Sequence, residues 1–119
     1  MSISHGSLEI SILNAIWYIE ENNLSKHITV TDIFKLMQRT NEPRAYTTIK
    51  TVMDRLAEKG LLIRTKLGKK FSYNSTKTRE QSANEAILKL ATTYFNDDVR
   101  MLGEAINRIC NSSKVFSQI

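Results

Sequence analysis

Cysteine, proline, glycine and histidine are scarce in this 119-residue chain: one, one, four and two copies respectively. A single cysteine, Cys110, excludes an intramolecular disulfide. It falls in an apolar helical pattern, so a packed thiol is expected rather than an intermolecular disulfide. His5 and His27 sit in neither metal-ligand nor triad-like spacing. The few glycines form no phosphate-binding motif. The acidic pairs Glu20-Glu21 and Asp97-Asp98 fall at helix ends, where dipole and solvation account for them. Neither an enzyme, a metal nor a cofactor is therefore expected. Long apolar runs are also missing, so no membrane span is expected. Met1 to Ser7 offers neither the basic nor the apolar region of a secretory signal. The expected location is the cytoplasm.

What the chain does have is apolar residues at helical spacing and an uneven charge. Hydrophobic residues make up 41%, enough for one compact domain with an appendage. Ile12, Leu13, Ile16, Trp17 and Ile19 form a broad stripe in a first helix, about Leu8 to Asn22, with Glu9, Asn14, Glu20 and Glu21 pointing away. His27 to Thr29 reads as a short extended piece. Thr29-Val30-Thr31-Asp32 then has the shape of a helix start, with a hydroxyl to accept a free backbone N–H and an acid for the dipole. Val30, Ile33, Phe34, Leu36 and Met37 give the second helix its buried face, to about Arg39. The lone proline, Pro43, disfavours helical geometry at Glu42. A third helix runs from about Ala45 to Lys59 and stops at Gly60.

Beyond Gly60 the period changes to two. Leu62 to Lys66 and Lys70 to Asn74 read as strands around a Leu67-Gly68-Lys69 turn, with Phe71 and Tyr73 packing inward from one face. Helix, short strand, helix, helix, hairpin is the order of a winged helix-turn-helix. Thr78-Arg79-Glu80-Gln81 then has capping-box spacing. Ala83, Ala86, Ile87, Leu90, Ala91 and Tyr94 make another stripe. Asn96-Asp97-Asp98 interrupts it, and Val99, Leu102, Ile106, Ile109 and Cys110 continue it in a last helix. The tail from Asn111 is polar and reads as loose.

The third helix carries the sharpest signal. Tyr46, Ile49, Val52, Met53 and Leu56 share a face that reads as buried. Arg44, Thr47, Thr51 and Arg55 lie on or near the opposite face, flanked by Thr48 and Lys50. From Arg44 to Arg79 there are ten Lys or Arg against Asp54 and Glu58, a local +8 in a chain of net +5, which leaves −3 elsewhere. The basicity thus belongs to the third helix and the hairpin, whose tip carries Lys69 and Lys70. A helix of this kind fits the major groove and a basic wing fits the adjacent backbone. Double-stranded DNA is the expected partner. The alternative is a winged helix for protein–protein contact without DNA, because fold does not fix function.

The run Arg44-Ala45-Tyr46-Thr47-Thr48-Ile49-Lys50-Thr51-Val52-Met53-Asp54-Arg55-Leu56-Ala57-Glu58-Lys59-Gly60-Leu61-Leu62 resembles the penicillinase-repressor family of winged-helix regulators. Ile12-Leu13-Asn14-Ala15-Ile16-Trp17 and Gly68-Lys69-Lys70-Phe71-Ser72-Tyr73 resemble that family's first helix and wing. The resemblance implies a bacterial repressor that binds a palindromic operator as a homodimer. It implies a mainly α fold with a small β-hairpin: a winged-helix DNA-binding domain over residues 1–76 and a helical dimerisation region over 77–119. Arg44, Thr47, Thr48, Lys50, Thr51, Arg55, Lys69 and Lys70 would meet DNA; Ile87, Leu90, Tyr94, Leu102, Ile106 and Ile109 would meet the second copy. Copper-responsive members carry a C-terminal cysteine pair, whereas this chain has only Cys110. The antibiotic-sensing branch is cut at an Asn-Phe bond, whereas this chain has Phe95-Asn96. A regulatory protease or sensor is thus implied without being identified.

Overall fold

A computed structural model describes residues 6–41 and 43–112. The expectations for Met1 to His5, for Glu42 and for the tail beyond Ser112 lie outside the described residues. The elements in order are α1 (Ser7–Glu21), α2 (Val30–Met37), α3 (Tyr46–Glu58), β1 (Leu62–Leu67), β2 (Lys70–Ser75), α4 (Arg79–Tyr94) and α5 (Val99–Ser112). They fall into two compact units that divide after Arg79.

The first unit is a winged helix-turn-helix. Its core is one cluster drawn from every element: Ile12 and Ile16 from α1, Ile33 from α2, Ile49, Met53 and Leu56 from α3, and Tyr73 from β2. Apolar residues recurring every three or four positions place each helix's stripe against that cluster. The start of α2 is fixed as its sequence dictates. The Thr29 hydroxyl accepts from the Asp32 N–H at 3.3 Å, and the Asp32 carboxylate accepts from the Thr29 N–H at 2.9 Å. This reciprocal cap satisfies two donors that a helix start otherwise leaves open. Gly60 ends α3 with a φ of +82°, a left-handed conformation that a side chain would strain.

The hairpin is antiparallel, with Leu67 paired to Lys70 and only Gly68-Lys69 between them. A two-residue loop with positive φ at its first position alone matches the right-handed twist of the strands, and Gly68 supplies it at +63°. Two carboxylates anchor this unit from α1. Glu20 accepts from the Ser75 N–H at 2.9 Å and the Ser75 hydroxyl at 2.7 Å, which holds the end of β2 against the helix. Glu9 accepts from Lys59 Nζ at 3.0 and 3.1 Å, which joins the start of α1 to the end of α3.

Several expectations are corrected here. Glu9, expected to point away from the apolar stripe, is only 5% exposed, because Lys59 covers it. His27 to Thr29 forms no strand, and the sheet has two strands. A single hydrogen bond, Tyr73 N–H to the Ile28 carbonyl at 2.8 Å, touches β2 before the chain turns into the α2 cap. Tyr46, expected in the buried face of α3, is exposed and meets the Phe34 ring edge-on at a centroid distance of 5.8 Å. Phe71 is also exposed, whereas Tyr73 is buried. The two share a strand face, but Phe71 lies nearer the hairpin tip, beyond the reach of the core. The Arg64 guanidinium covers its ring at 4.5 Å instead.

The second unit is two helices with a sharp break. Asn96 and Asp97 both adopt left-handed φ, at 53° and 65°, residue types that tolerate it. The Asp98 carboxylate then caps α5 by accepting from the Arg100 and Met101 N–H groups. Few backbone positions of α4 and α5 come close to one another. Among its described residues only Ala91 and Leu102 are buried. Cys110, expected to be packed, is exposed because no described element of the unit covers that face.

Candidate nucleic-acid interface

The exposed side of α3 is set by its buried one. With Ile49, Val52, Met53 and Leu56 in the core, Thr47, Thr48, Thr51 and Arg55 stand exposed. These four residues line one open groove together with Glu9 from the start of α1 and Lys59 from the end of α3. Arg44 lines the neighbouring groove with Met37, Thr40 and Asn41. Its backbone carbonyl accepts from Gln38 Nε2 at 3.1 Å, which ties the entry of α3 to the end of α2. Lys69 and Lys70 stand exposed at the hairpin tip. The side chains of Thr47, Thr48, Thr51, Arg55, Lys69 and Lys70 find no hydrogen-bond or ion-pair partner among the described residues. Donors left open in this way suit phosphate oxygens and base edges.

Lys50 differs. Its Nζ lies 2.9 Å from the Asp54 carboxylate one turn along α3. That carboxylate also accepts from Arg64 Nη1 at 3.0 Å and the Tyr73 hydroxyl at 2.7 Å. Sequence reasoning counted Asp54 only as an acid diluting a basic segment and did not single out Arg64. The Lys50/Asp54 spacing of four was the available signal. Burial pushes the Asp54 carboxyl up, but hydrogen bonds from Lys50, Tyr73 and Arg64 outweigh it and hold the group below its ordinary value. Burial and the bond to Asp54 push the Tyr73 hydroxyl up to about 12.

These shifts have opposite consequences. Asp54 is depressed, so its contribution to stability is present above the ordinary carboxylate range and is lost as pH falls through its folded value. Tyr73 is raised, so its contribution is present below about pH 10, the ordinary phenol value, and is lost as pH rises toward 12. Ultraviolet titration should therefore show a tyrosine ionising near pH 12 that Tyr73→Phe removes. A wild-type curve without that late step would show that the phenol is not held by Asp54.

The family model for penicillinase repressors matches residues 5–115. The chain belongs to the penicillinase repressor family. A search of curated proteins returned no match. In this repressor-family chain the basic helix and hairpin belong to a DNA-binding regulator of transcription.

The second unit carries the residues expected to meet another copy. Ile87, Leu90 and Tyr94 on α4 and Ile106 and Ile109 on α5 are all exposed, Tyr94 by 73%. Leu102, expected among them, is already buried within the single chain at 4% exposure. Leu88, Val99 and Met101 are further exposed apolar residues that the sequence reading did not place in a dimer surface.

Proposed function

We propose that this chain represses transcription in the cytoplasm by binding a two-fold symmetric operator as a homodimer, with residues 1–76 reading DNA and 77–119 pairing the two copies. The observation that carries this reading is the row of open donors on the N-terminal half of α3 beside a basic wing. Thr47, Thr48 and Thr51 would reach base edges and sugar-phosphate, where a threonine methyl can also pack on a thymine methyl. Arg44, Arg55, Lys69 and Lys70 would neutralise phosphates. The apolar surface left on α4 and α5 supports the pairing, because exposed patches of that kind mark interaction sites. Two copies related by a dyad would present two α3 helices to successive major grooves.

Binding of the full-length chain to duplex DNA, followed by fluorescence anisotropy across a salt series, tests the proposal. Four phosphate-contacting cations on each of two protomers give a log–log slope of about −7. Thr47→Ala and Arg55→Ala should each weaken operator binding about tenfold, with unfolding curves close to wild type because both side chains are exposed. No duplex binding at low salt would overturn the proposal. Unchanged affinity in both variants would place the reading face elsewhere on α3.

A further inference from the structure

We propose that Asp54 is a positioning residue for DNA recognition, one that withholds two cations from phosphate and fastens the recognition helix to the wing. This inference rests on the DNA-binding reading of the same unit.

The geometry carries the argument. Asp54 lies on α3, Arg64 on β1 and Tyr73 on β2, and Arg64 and Tyr73 are directly paired across the hairpin. One carboxylate oxygen accepts from both Arg64 Nη1 at 3.0 Å and the Tyr73 hydroxyl at 2.7 Å. The other accepts from Lys50 Nζ at 2.9 Å. An acid on a recognition helix can accept from a cytosine amino group. Here both oxygens are already engaged by the protein, so a base-reading role is disfavoured. What the carboxylate does instead is bridge helix and wing with polar bonds, above the apolar cluster that the two already share. Tyr73 is buried, which gives the bridge a fixed end, while the side chains of Lys50 and Arg64 stay 51% and 42% exposed. Their charges are therefore near the surface that DNA would approach, yet Lys50 Nζ and Arg64 Nη1 are each engaged by Asp54. Cations left free bind any phosphate backbone regardless of sequence. Held by Asp54, they add less to that indiscriminate attraction, and the unpartnered threonines keep a larger share of the discrimination.

The test uses the full-length chain, a duplex carrying a site selected from random sequence, and a scrambled duplex of equal length. Asp54→Asn keeps the shape and removes the charge. It should steepen the salt slope on the scrambled duplex by up to about two per protomer, since each freed cation adds about 0.9. It should raise scrambled-site affinity about tenfold at low salt and lower the ratio of selected to scrambled binding. Arg64→Gln alone should leave the scrambled slope unchanged, because Arg64 is engaged by Asp54. Combined with Asp54→Asn, it should flatten the slope of that variant by about one per protomer. An Asp54→Asn slope equal to wild type overturns the inference, as does weaker binding to both duplexes at constant slope, the mark of a purely structural role. A flattened slope with Arg64→Gln alone also overturns it. Should Asp54→Asn fail to fold, Arg64→Gln decides by itself, since it changes an exposed side chain. A wild-type chain that binds neither duplex at low salt refutes the DNA reading. A wild-type chain that prefers its site and shares its slope with Asp54→Asn refutes the Asp54 inference alone.

Discussion

With glutamate at both Ile87 and Leu90, the full-length chain should sediment as a monomer at micromolar concentration and lose about a hundredfold or more in operator affinity. The two side chains lie three residues apart on α4, so they share one face, and both are exposed in the single chain. Burying a carboxylate in an apolar contact without a partner is strongly unfavourable. Placing two on one face, and four across a dyad, leaves the pairing no register that avoids them. The loss of DNA affinity follows from linkage. A second half-site contact made within a dimer occurs at the high effective concentration that the connection imposes, and a monomer forfeits it. Sedimentation velocity and anisotropy on one preparation separate the two effects. A double variant that remains dimeric would place the self-contact elsewhere than on this face of α4.

The second large effect is expected at the only tryptophan. Trp17→Ala should lower the unfolding free energy by about 3–5 kcal/mol, measured by urea denaturation with far-ultraviolet circular dichroism. The ring is buried in the core of the first unit. Its Nε1–H donates to the Lys77 carbonyl at 2.9 Å, and the Arg79 guanidinium lies over it at 5.3 Å. Removal therefore opens a cavity and strips a donor from a carbonyl sixty residues away in sequence. Trp17→Phe keeps most of the apolar volume and should cost about 1 kcal/mol, the usual net value of the lost hydrogen bond. A loss under 1 kcal/mol in Trp17→Ala would show that the ring does not hold the unit together.

Periodicity and capping chemistry made most of this fold readable from its residues. The α2 start was written in Thr29 and Asp32, the α3 stop in Gly60 and the turn in Gly68, because each needs only a local backbone conformation. Features that depend on distant partners were not readable. Glu9 falls where an amphipathic helix usually meets solvent, and its cation arrives from a residue fifty positions away. Alternation assigned Phe71 and Tyr73 to one strand face but could not say how far along the strand the core extends. The open donors on α3 were visible as a polar stripe. That Lys50 belongs to Asp54 was within reach of the i, i+4 rule. The Arg64/Tyr73 pairing was not, because a turn read as Leu67-Gly68-Lys69 sets Arg64 opposite Ser72, and only the shorter Gly68-Lys69 loop sets it opposite Tyr73. The exposure of Cys110 was not readable, because apolar spacing along α5 does not say whether another element lies over that face.

The Arg64/Tyr73 pairing has a bearing on how the hairpin finds its alignment. Both side chains reach Asp54 only because they sit opposite one another on the same face of the ribbon. Strand side chains alternate, so a slip of one residue turns one of the two to the far side. The carboxylate on α3 is therefore satisfied by both strands in this alignment alone. It also limits how the wing can be lengthened: a single residue inserted between Arg64 and Tyr73 would break the pairing, whereas matched insertions on both strands near the tip would leave it intact.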